Sequence, residues 1–449
     1  MRHPLIISAL FLLFACEGED PSKATPVDTD DTSAEDSGDV VDGWSIQPVD
    51  TGDGGVQGRI GISPAGQRMV VYWNPVPRED GICDEVTNDP PPRIRYELRF
   101  ATVDSGQWQT ELIDEPTIAF TPNGLDLTFD ADGVPNVAYT GGAPSGQYCG
   151  SNDAYIAERG AAGEWSMTAA ATESGQSNTG EPASDAGFVV GLWPSLAFDR
   201  AGVPAVLHKD AHFGSLQRDD AFRADMELAL GNGGGWDHVA VDIGEGAGDF
   251  GQLLFDDQDR PVAVYAVPVD STKDPRLGYW AARQEADGNW TRIYLHAGLP
   301  THRVAAGFAP GSGELVVAFY SVEDQAARLR RLPAGADFDD SGAWSDELVA
   351  SNRYDEGRDV SLAFRSDDSV VLAYHRCVLL SDGVGDCNIN DEALILAEEI
   401  EGGWDIQEVH AVQGQSCGRY ASVVVDTDDR AHVAFTCDGN GLYVASEGG

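Results

Sequence analysis

The chain has 449 residues, and 75 Asp and Glu against 28 Lys and Arg give it a net charge of -47. A charge of that size argues against nucleic acid and anionic membrane surfaces as partners. Hydrophobic residues make up 42%, enough for a core, while 52 Gly and 23 Pro indicate frequent turns and exclude a fold built of long helices.

The chain opens with a basic start, Met1-Arg-His, and an apolar run from Pro4 to Ala15 that is too short to span a bilayer. Leu13-Phe-Ala-Cys16 resembles a bacterial lipoprotein signal, in which a small residue precedes the cysteine that is lipidated. The resemblance implies a signal peptide over 1–15 and an acyl anchor on Cys16, the only membrane attachment expected. The alternative is an ordinary secretory signal with a chance cysteine. Residues 16–42 are Asp, Glu, Ser, Thr, Pro and Gly with few large apolar side chains, so they predict a disordered acidic tether. Glu17 stands where Asp marks inner-membrane retention in some bacteria, which favours the outer membrane or cell surface.

From residue 43 onward one unit repeats. Leu127-Thr-Phe-Asp-Ala-Asp-Gly-Val-Pro-Asn-Val-Ala-Tyr139 reads as a β-hairpin, and Ser195–His208, Gln252–Tyr265 and Ser361–Tyr374 repeat it. The apolar residue before the hairpin turn recurs as Ile62, Phe129, Phe198, Phe255, Phe308, Phe364 and Val425. A tryptophan, mostly after Gly, alternates with it: Trp44, Trp108, Trp165, Trp236, Trp290, Trp344 and Trp404. A third apolar run between the markers and a fourth after the Trp make each unit four antiparallel strands. The pattern predicts an all-β, seven-bladed propeller over 43–449; a tandem pair of β-sandwiches would not need the same hairpin seven times. The last unit stops before its Trp strand, and Trp44 precedes the first hairpin without a unit of its own. The N-terminal strand is therefore expected to complete the last blade and close the ring, leaving no open edges.

These repeats resemble sialidase-like propellers that carry the Asp box, and propeller lectins. Asp104-Ser-Gly-Gln-Trp108 and Asp287-Gly-Asn-Trp290 keep the turn and Trp of that box. The resemblance implies a rigid ring with binding loops on one face, and leaves a sialidase-like glycoside hydrolase as the alternative to a binding module. Such a hydrolase needs an arginine cluster, a Tyr nucleophile with a carboxylate partner, and an acid Asp. The family's arginine motif survives only as Gly58-Arg59-Ile60-Gly61, and Arg59 falls out of step with the other arginines.

The Asp and Gly of the first hairpin turns serve turn geometry, with calcium a minor alternative. The opposite face carries the long connections and the six cysteines after Cys16. Cys377 with Cys387 and Cys417 with Cys437 are expected to pair within blades, and Cys83 with Cys149 between neighbours, although six cysteines allow 15 pairings. Arg303, Arg358, Arg419, Tyr374, His375, Arg376, Tyr265 and His208 gather at that edge as candidate ligand-binding residues. Arg358 and Arg419 each lie six residues before their marker and so occupy equivalent positions. They could clamp a carboxylate or sulfate, or merely neutralise neighbouring acids. His208-Lys-Asp-Ala-His212 reads as a polar loop rather than a metal site, because i and i+4 do not share a face on a strand. The expectation is a monomeric, envelope-anchored module that binds a glycan or protein ligand without a cofactor.

Overall fold

The computed structural model describes residues 40–41, 43–51, 55–77, 94–118, 122–142, 150–173, 189–211, 224–243, 246–268, 276–298, 300–349, 355–378, 387–438 and 441–448. Cys16, Cys83, Cys149 and the signal and most of the tether fall outside them. The described residues form seven antiparallel sheets. Blade 1 is Val56–Ile62, Arg68–Pro77, Ile94–Asp104 and Gln107–Asp114, and blades 2 to 6 repeat this order. Blade 7 takes Cys417–Val425, Ala431–Cys437 and Gly441–Glu447, and its fourth strand is Trp44–Asp50 from the other end of the chain. Trp44 pairs with Glu447 and Ile46 with Ala445, so the ring is closed by the N-terminal strand. A short fifth strand, Val40–Val41, pairs with Trp44 and Ser45 inside the stretch expected to be tether.

The repeat markers fasten the blades to one another in three concentric belts. At the innermost strands, the side chain three residues before the marker accepts a backbone N–H of the next blade in five of the seven blades. Ser422 takes Ile60 N, Asp126 takes Leu196 N, Ser195 takes Leu253 N, Gln252 takes Ala306 N and Ser361 takes Val423 N. Midway out, a buried tyrosine donates to an aspartate that ends the preceding blade: Tyr72 to Asp50, Tyr139 to Asp114 and Tyr265 to Asp242, at 2.6–2.8 Å. On the outer strand the marker Trp donates backwards, as Trp165 to Glu111 and Trp404 to Glu347. Between these belts, apolar faces of adjacent sheets pack directly; Val137 and Tyr139 of blade 2 meet Val71, Trp73 and Phe100 of blade 1.

The first hairpin turns use their aspartates locally. Asp130 Oδ1 accepts Asp132 N and Val134 N, each at 2.9 Å, and Asp256 and Asp426 repeat the arrangement. Such carboxylates hold the turn closed by pairing with its own amides. At the other end of the innermost strand a glycine seven residues before the marker lets neighbouring backbones touch. A Cβ on Gly357 (φ +106) would stand 2.4 Å from Ala327 N of blade 5, and one on Gly418 (φ +95) 2.5 Å from Ala393 O of blade 6.

Candidate functional site

Two residues after that glycine the backbone turns left-handed in most of the blades. Gln57, Trp193, Phe250, Asp359 and Tyr420 have φ between 52° and 57°, and Gly124 fills the same position at 106°. The strand register shifts there, which marks a β-bulge. A non-glycine residue in this region costs on the order of 1–2 kcal/mol, and repeating that cost around an axis is the pattern expected where a site needs re-aimed side chains.

The innermost strands enclose a cavity of about 170 Å3 on the axis. Among its lining residues are Arg59, Trp193, Phe250, Gln252, Arg303 and Asp126. Trp193 and Phe250 lie against each other with ring centroids 4.4 Å apart, and both remain partly exposed. Arg303 is only 8% exposed, and among the described residues it makes no ion pair. Burial drives its guanidinium down to about 10, against the pull of Asp359 and Tyr420. Among the described residues, Arg59 hydrogen-bonds the carbonyl of Gly58 at 3.4 Å. Burial pushes the Asp126 carboxyl up, although Leu196 N, Ser195 Oγ and Leu127 N all donate to it. The cavity therefore offers cationic groups and an aromatic wall, with its one acid disfavoured as a charge.

Arg358 and Arg419 do occupy equivalent positions, opposite His375 and Thr436. Neither lines the cavity, and both are engaged with acids. Arg358 Nη2 donates to Asp355 at 2.7 Å, and Tyr320 donates to the other oxygen of that carboxylate at 2.6 Å. Arg419 meets Asp438 at 3.0 Å and Glu392 at 3.6 Å. Glu392 also accepts from His375 Nε2 at 2.7 Å and from Ser416. Burial raises the Glu392 carboxyl, but His375, Ser416 and Arg419 outweigh it and hold it below its usual range. Beside this network His302 stands 3.3 Å from Asp359. Asp359 is held far below the usual carboxylate range, its burial overcome by His302, Arg303 and His375.

The remaining candidates divide by burial. Tyr265, Tyr374 and His208 are fully buried and His375 is 3% exposed, so these four belong to blade junctions and not to an open mouth. Tyr265 is held by Asp242, and Tyr374 faces Glu356. Arg376 turns outward along its own blade to Glu408 at 2.5 Å and to Asp391 O at 3.1 Å. His208 lies on a strand, and its described neighbours are Glu227 and His238; His212 falls outside the described residues. Disulfides join Cys377 to Cys387 and Cys417 to Cys437, fastening the connection after the second strand of blade 6 and the open end of the first hairpin of blade 7.

No family model matches the chain, and no curated protein matches it by sequence. Among solved structures, a protein of unknown function from Dyadobacter fermentans is similar at a TM-score of 0.51 and 13% identity, over 90% of this chain and 98% of that one. The likeness is one of fold. Other similar structures are the polysaccharide lyase Uly1 (TM-score 0.48, 11% identity, 90% and 91% covered) and the NanB sialidase from Streptococcus pneumoniae (0.43, 8%, 90% and 70%).

Proposed function

We propose that this propeller is a non-catalytic binding module, carried at the cell envelope on a lipidated Cys16, whose axial cavity takes an acidic sugar at the end or bend of a glycan. The observation that carries this reading is the pairing of Arg303, buried without an ion pair among the described residues, with the Trp193–Phe250 wall in one cavity. A desolvated guanidinium whose nearest carboxylate influence, Asp359, is not in ion-pair contact is costly in a free protein, and an anionic ligand relieves that cost. Aromatic rings beside it suit the apolar face of a pyranose, which stacks while its carboxylate reaches the arginine.

The hydrolase alternative has less support. Tyr320 and Tyr374 have phenols raised well above their ordinary value, foremost by burial, and burial and Asp359 lift Tyr420 to about 12. Tyr320 does have a carboxylate partner in Asp355, but neither it nor Tyr374 nor Tyr420 lines the axial cavity. Titration calorimetry with paired acidic and neutral saccharides, glucuronate against glucose and sialyllactose against lactose, tests the reading. Binding of the acidic members, weakened by salt, supports it. Equal affinity for the neutral members, or turnover of fluorogenic glycosides, contradicts it.

A further inference from the structure

The tyrosine–aspartate clasp of the middle belt, present at three of the seven junctions, is missing between blades 2 and 3. The tyrosine position of blade 3 is His208, and the aspartate position of blade 2 is Ala171. Both partners are replaced together, so the phenol clasp seen at Tyr72, Tyr139 and Tyr265 is absent from this junction. His208 instead has two neighbours on its own blade. It pairs across strands with Glu227, while His238 on the next strand faces Ala229 and so lies on the same side of the sheet. That side packs towards blade 2, where Val206 and Ala229 meet Ala138, Ala154 and Ile156.

One ligand atom from each of His208, Glu227 and His238 lies within 4.8 Å of the other two. His208 Nδ1 is 2.8 Å from Val190 O. A carbonyl only accepts, so Nδ1 carries the proton and Nε2 presents a lone pair. That Nε2 is buried and has no hydrogen-bond partner among the described residues, and His238 Nδ1 is in the same condition. A histidine oriented by a carbonyl on one nitrogen and left open on the other is arranged as metal-ligating histidines are.

We propose that His208, Glu227 and His238 form a site for a divalent transition-metal ion, with zinc the best match to two imidazoles and a carboxylate. Ligand atoms around one zinc stand roughly 3–3.5 Å apart, so modest side-chain rotation closes the set. Such an ion would tie together the three outer strands of a blade that lacks the phenol clasp to its predecessor. None of the three ligands lines the axial cavity, so this site stands or falls independently of the glycan reading.

The test uses the full chain, stripped with a chelator and titrated with Co2+ while visible absorption is followed. The expected result is a single saturable equivalent with tetrahedral or five-coordinate d–d bands, displaced by Zn2+, and a melting temperature several degrees higher with zinc than with chelator. His238→Ala and Glu227→Gln, each checked for an unchanged far-ultraviolet spectrum, should abolish the bands and the zinc-dependent shift. Weak unsaturable uptake without d–d bands, the signature of surface acids, overturns the proposal. Bands that survive both substitutions overturn it equally.

Discussion

Two pairs of arginines approach the axis of this propeller, and they differ in what they meet. Arg358 and Arg419 hold equivalent repeat positions, and each is spent on acids: Asp355 for one, Asp438 and Glu392 for the other. Arg59 and Arg303 come from positions that do not match one another, yet both line the cavity without an ion pair among the described residues. In a chain with 75 acids and 28 bases, a paired arginine is the default outcome and reports on fastening. The unpaired ones are the exception that a ligand would explain.

That contrast predicts opposite profiles for stability and binding, and the largest effect belongs to fastening. Removing residues 43–50 takes away the strand that closes blade 7 and exposes the partners of Trp44, Ile46 and Val49, which are 3–7% exposed in the closed ring. At about 1.5–3 kcal/mol for each large apolar side chain, the loss approaches the whole stability of an ordinary domain. Thermal unfolding should therefore lose its cooperative transition or shift down by well over ten degrees. A truncated protein that melts like the intact one would show that ring closure contributes little.

Arg358→Ala comes next. It leaves the nearly buried Asp355 with Tyr320 as its remaining described donor, and breaking a buried pair costs about 3–5 kcal/mol at its upper range. Chemical denaturation should register a loss of a few kcal/mol while saccharide affinity stays within about twofold. Arg419→Ala should cost roughly 1 kcal/mol or less, because its side chain is 38% exposed and its closest partner, Asp438, is more exposed still. If Arg419→Ala proves the more damaging to stability, the network has been read in the wrong order.

Acidification sharpens the same comparison. Asp359 and Glu392 are both held below their ordinary values in the folded chain. Their contribution is full above the unfolded-state values near 4 and is lost as pH falls through the folded ones. Melting temperature should therefore drop steeply below about pH 4, and His302→Gln should flatten that limb by removing the main partner of Asp359. Asp153 has the opposite sign. Burial raises it to about 7, with Ser151 pulling back only in part. Its contribution is present at low pH and is lost as pH rises towards 7, so Asp153→Asn should stabilise the protein at pH 8 and not at pH 4. Equal stabilisation at both values would remove the carboxyl's charge from the explanation.

Most of the fold was legible in the sequence because a propeller repeats its instructions. The apolar marker and the Trp each recur seven times, an Asp opens four of the seven first turns, and the missing fourth strand of the last unit located the closure. The two described disulfides followed from placing Cys377, Cys387, Cys417 and Cys437 on hairpin ends. The site was harder to see. Arg59 was set aside for lying three residues before its marker, yet that row lines the cavity. Trp193 and Phe250 were visible as a column two residues after a recurring glycine, but only the left-handed φ explains why they turn to the axis. The tyrosines after the second strand looked like a rim because they end apolar runs, and the structure buries them against aspartates whose spacing from Trp, six residues in Asp50, Asp114 and Asp242, carried the signal. His208, Glu227 and His238 meet only through strand register, which local pattern does not encode.

The most direct measurement of the central claim is saccharide affinity and melting temperature in parallel for Arg303→Met and Arg358→Ala. Arg303→Met should weaken the acidic saccharide by about tenfold or more, the scale of a lost charged hydrogen bond, while lowering the melting temperature less than Arg358→Ala does, since Arg303 makes no ion-pair contact among the described residues and Asp359 keeps His302 as its main partner. Arg358→Ala should do the reverse. If Arg303→Met binds as tightly as the wild type, or if Arg358→Ala alone loses the ligand, the axial cavity is not the binding site.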